Sequence, residues 1–249
     1  MRRGWDAHSY DRVSTVSDPL VEEVLARLQL RGDETVLDAG CGTGRVTARL
    51  LERLPGGRVV GVDLDPEMVS LARQRLPAEI TVIESGLLDL SLPEPVDVIF
   101  STATFHWVLD QDELFARLAR LLRPGGRLVA QCGGAGALQR VIQAANAVAE
   151  EPRWQDHLAA FTPNWYFATP DETEQRLTRS GFIETRCWLQ SFVFTPPEPV
   201  AFLETVTLGS WVQLLRDEQR RPFAEQVAQR LGEPLTIENV RLNIDARRA

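Results

Sequence analysis

The sequence predicts an α/β fold with a doubly wound, mostly parallel sheet of seven strands. Short aliphatic and β-branched runs alternate with amphipathic segments of about 10 to 15 residues, which is typical of repeated βαβ units. Polar or glycine-rich stretches follow several of these runs directly, as expected where parallel strands present a ligand site at their carboxyl ends. The expected strands are residues 35–38, 58–63, 80–83, 96–100, 127–131, 183–194 and 238–246.

Charge and cysteine content narrow the classes of function. The net charge of the 249-residue chain is -8 at neutral pH, which disfavours a nucleic-acid partner because phosphates are bound by basic surfaces. Three scattered cysteines suit neither a disulfide framework nor a zinc site, so we expect no metal and a cytoplasmic location. The first residues do not read as a secretory signal. No apolar run reaches the roughly 18 residues of a membrane span, so no membrane partner is expected.

Residues 36–45, VLDAGCGTGR, are the stretch around which the chain is organised. An apolar strand leads into Asp38, and three glycines follow at alternate positions before an amphipathic helix. Gly40, Gly42 and Gly44 permit unusual backbone angles and let the main chain approach a ligand closely. The following helix presents unpaired N–H groups and the positive end of its dipole. We therefore expect a small polar or anionic ligand at this turn.

Helices occupy the intervals between the strands. Pro19 opens an amphipathic helix ahead of the first strand. Asp65 and Pro66 begin another after the second strand, as N-cap and first-turn proline. Residues 112–122 form a strongly amphipathic helix, and the Arg-Pro-Gly-Gly sequence after it is expected to end that helix.

Several polar stretches should share one edge of the sheet with the glycine turn. Asp63, residues 86–89 and residues 101–107 each follow a predicted strand, and the carboxyl ends of parallel strands meet at one rim. Between residues 133 and 167 the βα alternation fails and the pattern is helical, which indicates a cap over this rim. Further helices are expected at 170–177, 200–215 and 221–231.

Three motifs carry a resemblance to a known family: VLDAGCGTG at 36–44, VGVDLDPEM at 60–68 and LLRPGGRL at 121–128. Together they resemble the motifs of class I S-adenosylmethionine-dependent methyltransferases, and the resemblance covers residues 19–131. It implies a Rossmann-like methyltransferase fold and S-adenosylmethionine as cofactor. The stretch STATFHWV at 101–108 is similar to the trans-aconitate methyltransferase group, which implies a small-molecule acceptor.

The resemblance assigns a set of cofactor-binding residues: Asp38, Gly40, Cys41, Gly42, Asp63, Leu64, Gly86, Leu87 and Thr102. It implies that the backbone of the glycine turn lies against the methionine and ribose parts, while Asp38 helps to place the amino group. Asp63 would accept hydrogen bonds from both ribose hydroxyls, and Leu64 would pack on the adenine.

Position 86 departs from the family pattern. Relatives usually carry an aspartate there, whose carboxylate receives the adenine amino group, whereas this chain has Gly86. The backbone of Leu87 remains available to the ring. Asp89 is a candidate replacement, with a structural role as the alternative.

His106 is the candidate catalytic residue. Methyl transfer from a sulfonium needs alignment and exclusion of water, and a base only for some acceptors. His106 follows the fourth strand, and an unperturbed pKa of about 6.5 suits a general base. The alternative is that this histidine shapes the pocket between its aromatic neighbours.

These observations favour S-adenosylmethionine-dependent methyl transfer to a small organic acceptor at a carboxylate or hydroxyl oxygen. Nitrogen or carbon methylation and a non-catalytic S-adenosylmethionine-binding protein are the alternatives. An NAD-dependent oxidoreductase is disfavoured by Asp38 and by the G-x-G-x-G spacing. The sequence leaves the oligomeric state open.

Four segments are expected along the chain. They are an amino-terminal arm (1–18), a cofactor-binding core (19–132), a helical cap (133–168) and the remainder of the core sheet and helices (169–249).

Overall fold

The computed structural model describes residues 6–249, so the first five residues of the predicted arm lie outside it. Its strands are β1 (Thr35–Ala39), β2 (Arg58–Asp63), β3 (Thr81–Glu84), β4 (Val96–Thr102), β5 (Leu122–Gly133), β6 (Phe182–Phe194) and β7 (Ile237–Arg248). They form one sheet in the order β3-β2-β1-β4-β5-β7-β6. β1 to β5 are parallel, whereas β7 runs antiparallel to both of its neighbours. The predicted doubly wound α/β fold is confirmed.

The α-helices in this range are α1 (Ala7–Val13), α2 (Asp18–Arg27), α3 (Arg45–Leu51), α4 (Pro66–Arg75), α5 (Gln111–Leu121), α6 (Gln139–Ala149), α7 (Gln155–Leu158), α8 (Pro170–Arg179), α9 (Pro199–Phe202), α10 (Gly209–Val212) and α11 (Asp217–Leu231). Asp65 caps α4 by accepting from the backbone N–H groups of Glu67 and Met68, as its sequence predicts. None of the helices between residues 6 and 249 has the length and apolar character to cross a bilayer.

The Arg-Pro-Gly-Gly stretch ends α5, as predicted, but it belongs to the following strand. β5 starts at Leu122, which pairs with Val96, and regular pairing resumes where Arg127 meets Val98. The register shift between these pairs accommodates the extra residues, with Gly125 at a φ of 75°. A local irregularity of this kind lengthens the strand beyond its apolar run.

Apolar residues on both faces of the sheet form its core. Successive side chains of a strand point to opposite faces, so Val98 packs with Val24 of α2 and Leu50 of α3, whereas Ile99 packs with Phe115 of α5. Each of these five side chains is at most 1% exposed. The sheet is therefore covered on both sides, and its ligand site is confined to an edge.

The arm packs against the glycine turn. Asp11 of α1 accepts hydrogen bonds from Thr43 Oγ1 at 2.6 Å and from Arg75 Nη2 at 2.6 Å. Arg75 also donates to the Thr43 carbonyl oxygen at 3.0 Å. α1 is thus tied both to the turn after β1 and to the end of α4.

The helical layer above the rim has two parts. α6 and α7 come from the predicted cap, but residues 159–169 contain no helix, so the helical pattern expected there is wrong. Pro163 interrupts helical hydrogen bonding, and Phe161 and Trp165 pack instead on Trp211, with ring centroids 4.5 and 5.2 Å away. The second part, α9 to α11, lies between β6 and β7 and shares one apolar core with α6.

Candidate functional site

A cavity of about 750 Å³ lies at the carboxyl edge of the sheet. β1 and β4 are neighbours there, and the chain leaves them toward opposite sides of the sheet, which is where open α/β sheets bind ligands. The walls come from the loops after β1 to β5, from the first half of β7, and from the helical layer above.

Two glycines of the first turn have different surroundings. Gly40 has a φ of 86°, and a Cβ atom there would lie only 2.0 Å from Thr104 Oγ1. Gly42 has a φ of 55°, and a Cβ there would meet no atom within 4 Å. Gly40 is therefore required by contact with the loop after β4, whereas Gly42 borders open space in the cavity.

Asp63 connects the ends of β1 and β2. Its Oδ2 accepts from the Gly42 N–H at 2.9 Å and its Oδ1 from the Asp65 N–H at 2.9 Å. Burial raises the pKa of this carboxyl, and the two backbone donors oppose that rise. Each oxygen keeps a further lone pair for a ligand hydroxyl.

Asp38 is a buried acid whose carboxylate accepts a single hydrogen bond. It is 1% exposed, and Oδ2 accepts one hydrogen bond, from Thr47 Oγ1 at 2.7 Å. Burial raises the Asp38 pKa to about 7. An ionised carboxylate in such a place is stabilised by a cation.

The other predicted cofactor residues also line the cavity: Cys41, Leu64, Gly86, Leu87 and Thr102. Leu64 is 73% exposed although it is a large apolar side chain, so its surface is available to an apolar ligand face. Cys41 is buried, and burial raises its thiol pKa well above the usual range, which leaves it unreactive at neutral pH.

His106 lies in the helical turn that follows β4, and its ring centroid is 5.7 Å from that of Phe167. Its Nδ1 accepts a hydrogen bond from the Gly133 N–H at 3.2 Å, which leaves the proton of the neutral ring on Nε2. Burial, together with the charge of Arg241, lowers the His106 pKa to about 3. The ring is therefore a weak base, and its free nitrogen is a hydrogen-bond donor.

Arg241 lines the same part of the cavity. It lies on β7 opposite Gly133, the last residue of β5. Because β7 is antiparallel, its first half reaches the carboxyl rim of the parallel strands. Burial lowers the pKa of this guanidinium, and its Nε has no hydrogen-bond partner among residues 6–249.

Similarity to known proteins identifies the family. Residues 36–126 match the family model described as a methyltransferase domain. An uncharacterized methyltransferase of Schizosaccharomyces pombe is 30% identical over 72% of this chain and 70% of its own length. The chain is a class I S-adenosylmethionine-dependent methyltransferase.

Further similarities cover nearly the whole methyltransferase. A trans-aconitate 2-methyltransferase of Acidovorax ebreus is 29% identical over 93% of this chain and 90% of its own length. The solved cyclopropane synthase of Mycobacterium tuberculosis superposes with a TM-score of 0.60 at 20% identity, covering 92% of this chain and 83% of its own. That structural likeness confirms the Rossmann-like fold.

The structure brings all ten predicted site residues of this methyltransferase to one cavity. Sequence reasoning missed Arg241 and Trp211. The signal for Arg241 lies in β7, where Asn239, Arg241, Asn243 and Asp245 alternate with apolar residues. Polar residues at alternate positions share one face of a strand, so a buried strand of this pattern marks a polar site.

Proposed function

We propose that this methyltransferase transfers the methyl group of S-adenosylmethionine to a carboxylate oxygen of a small organic acid. One part of the cavity is assigned to the cofactor and the other to the methyl acceptor. The cofactor half contains Asp38, Gly40–Gly44, Asp63, Leu64 and Gly86–Asp89. The acceptor half contains His106, Trp165, Phe167, Trp211 and Arg241.

The cofactor half fits S-adenosylmethionine. Asp38 offers a buried negative charge to the ammonium group, and the open space beside Gly42 accommodates the methionine and ribose parts. Asp63 has free lone pairs for the two ribose hydroxyls, and the exposed face of Leu64 suits the adenine. When bound, the cofactor supplies an electrophilic methyl group on a sulfonium.

The absence of a suitable base from the acceptor half carries the proposal. Four acidic residues line the described cavity: Asp38 in β1, Asp63 at the end of β2, and Asp65 and Asp89 in the segments after β2 and β3. All four belong to the cofactor half or adjoin it. In the acceptor half, His106 is a poor proton acceptor, because its pKa is about 3. Hydroxyl and ammonium acceptors need to lose a proton, whereas a carboxylic acid is ionised at neutral pH. The site therefore favours an acceptor that brings its own anionic oxygen.

Other residues of the acceptor half align the acceptor and exclude water. His106 would act as a donor and as part of the wall, in place of the general base expected from the sequence. The named substrate of the trans-aconitate 2-methyltransferases is itself a carboxylate, which supports the same reaction class.

The pH dependence of turnover tests this assignment. With S-adenosylmethionine and a panel of carboxylic acids, kcat should stay constant from about pH 6 to pH 9, because the acid is already ionised. His106→Gln should lower kcat less than about tenfold, since a missing general base costs at least about 100-fold. Methyl transfer only to amines or alcohols, or a kcat that rises tenfold per pH unit through neutrality, would refute carboxylate methylation.

Cofactor affinity should depend on the ionisation of Asp38. Its raised pKa of about 7 means that the carboxyl is largely protonated at pH 6 and ionised at pH 8. If the ammonium pairs with the ionised form, the Kd for S-adenosylmethionine should fall about fourfold across that interval, because a tenfold gain in ionised Asp38 is partly offset by loss of the ligand's α-ammonium proton at a pKa of about 7.8. Isothermal titration measures this, with Asp38→Asn as the matched control. If the wild-type slope matches that of Asp38→Asn, the assignment of Asp38 is wrong.

A further inference from the structure

We propose that Arg241 binds the carboxylate of the acceptor, and that the acceptor is a monocarboxylic acid with an apolar body. The proposal rests on methyl transfer to an organic acid, and it specifies which class of acid. Three observations carry it: a partly buried cation without an ion pair, the distance of its strand from the cofactor half, and the aromatic side chains that line the same cavity.

Arg241 is a cation without a counter-charge. Within residues 6–249 it forms no ion pair, and its Nε has no hydrogen-bond partner. The guanidinium carbon lies 5.8 Å from the centroid of the Phe192 ring, which brings no counter-charge. Other polar residues on the same face of β7 are partnered: Asn243 accepts from Gln131 at 2.9 Å, and Asp245 pairs with Arg27 at 3.2 Å. An enclosed guanidinium with free donors is stabilised by an anion.

The position of Arg241 separates it from the nucleoside. β7 is the third strand from β1 in the sheet order, a distance of about 14 Å at the usual strand spacing. The neutral ring of His106 lies close enough to Arg241 for the charge of that guanidinium to lower the His106 pKa. The anion on Arg241 therefore comes from the acceptor.

Five aromatic residues line the cavity: Trp165, Phe167, Phe194, Phe202 and Trp211. Neutral polar side chains line it as well, among them Asn164, Ser210 and Asn239. Trp165 lies 5.2 Å from Trp211 and 6.0 Å from Phe167 between ring centroids. Such surfaces stabilise an apolar body and penalise additional charges.

Among residues 6–249, Arg241 is the one arginine lining the cavity that has no ion pair. Arg45 also lines the cavity, but it pairs with Asp18 and with Asp11. A tricarboxylate would therefore place two uncompensated charges against aromatic rings.

Charge also explains release of the product. A carboxylate oxygen forms a bond to the methyl carbon while the carbon–sulfur bond breaks, and that electron pair stays on sulfur. The products are a neutral methyl ester and a neutral thioether, and no proton is taken up or released in the transfer. The ester no longer pairs with the Arg241 guanidinium, which favours its dissociation over that of the acid.

Steady-state kinetics with defined acids test the proposal. trans-Cinnamate and decanoate serve as apolar monocarboxylates, and trans-aconitate serves as the polycarboxylate. Wild type should methylate at least one monocarboxylate with a higher kcat/KM than trans-aconitate. Arg241→Gln should lower that kcat/KM about 10- to 100-fold, mainly through KM, and Arg241→Lys should restore part of the loss. The Kd for S-adenosylmethionine should change less than twofold.

Arg153→Gln is the matched control. Its guanidinium lies 4.5 Å from the Trp154 ring and outside the cavity, so kinetics should be unchanged. Thermal unfolding verifies the fold, and Arg241→Gln should be at least as stable as wild type because it removes an unpaired charge.

An equal loss of cofactor affinity in Arg241→Gln would assign Arg241 to the cofactor carboxylate and overturn its role toward the acceptor. Preference for trans-aconitate would overturn the monocarboxylate class and leave carboxylate methylation intact, whereas methylation of amines or alcohols alone would refute both.

Discussion

Replacing Gly40 with alanine is expected to lower the free energy of unfolding by roughly 3 kcal/mol or more. The new Cβ would lie 2.0, 2.4 and 2.6 Å from Oγ1, Cγ2 and Cβ of Thr104. Rotation of the Thr104 side chain leaves the Cβ contact in place, so the backbone itself must move. The positive φ of 86° adds left-handed strain. Chemical denaturation measures the loss.

Gly42→Ala is the matched comparison for Gly40→Ala. Position 42 also has a positive φ, but its Cβ would meet no protein atom within 4 Å. Stability should therefore fall by only about 1 kcal/mol, while the methyl group projects into the space proposed for the cofactor and weakens S-adenosylmethionine binding more than about tenfold. Equal effects of the two variants on stability would show that the contact with Thr104 is not what requires Gly40.

Asp63→Ala is expected to weaken S-adenosylmethionine binding about 100-fold. Hydrogen bonding to a charged group contributes about 1.5–3 kcal/mol, a range that includes 100-fold in affinity. The glycine turn also loses its hydrogen bond from the Gly42 N–H. Isothermal titration measures the change. Asp63→Asn keeps one acceptor oxygen and should lose less affinity than Asp63→Ala. Unchanged affinity in Asp63→Ala would remove this side chain from the cofactor site.

Local sequence signals predicted which residues line the cofactor half of the cavity, and their roles toward the cofactor stay a prediction. The three glycines, Asp63 and the Asp65 cap act through neighbours close in the chain or through the parallel order of β1 and β2. The sequence does not show that Gly40 and Gly42 are required for different reasons, because the contact of Gly40 with Thr104 joins residues 64 positions apart. The exposed face of Leu64 likewise follows from the folded rim.

The positions of the acceptor-half residues depend on strand pairing and on packing between segments that are distant in the sequence. Local sequence patterns do not predict these contacts. Arg241 reaches the rim because β7 inserts antiparallel between β5 and β6. Trp211 reaches it because α10 belongs to a helical layer assembled from two separate segments. The basicity of His106 is set by burial, by Arg241 and by the Gly133 N–H, so its position beside the rim predicted proximity but not chemistry. The domain boundaries proposed along the chain stay a prediction.

One cavity is proposed to hold the nucleoside at the carboxyl ends of β1 and β2 and an organic acid at β7. A crystal structure with S-adenosylhomocysteine and trans-cinnamate is the decisive measurement. We expect both ribose hydroxyls within hydrogen-bond distance of the Asp63 carboxylate and the cinnamate carboxylate on the Arg241 guanidinium. A nucleoside bound elsewhere, or a carboxylate seated away from Arg241, would contradict it.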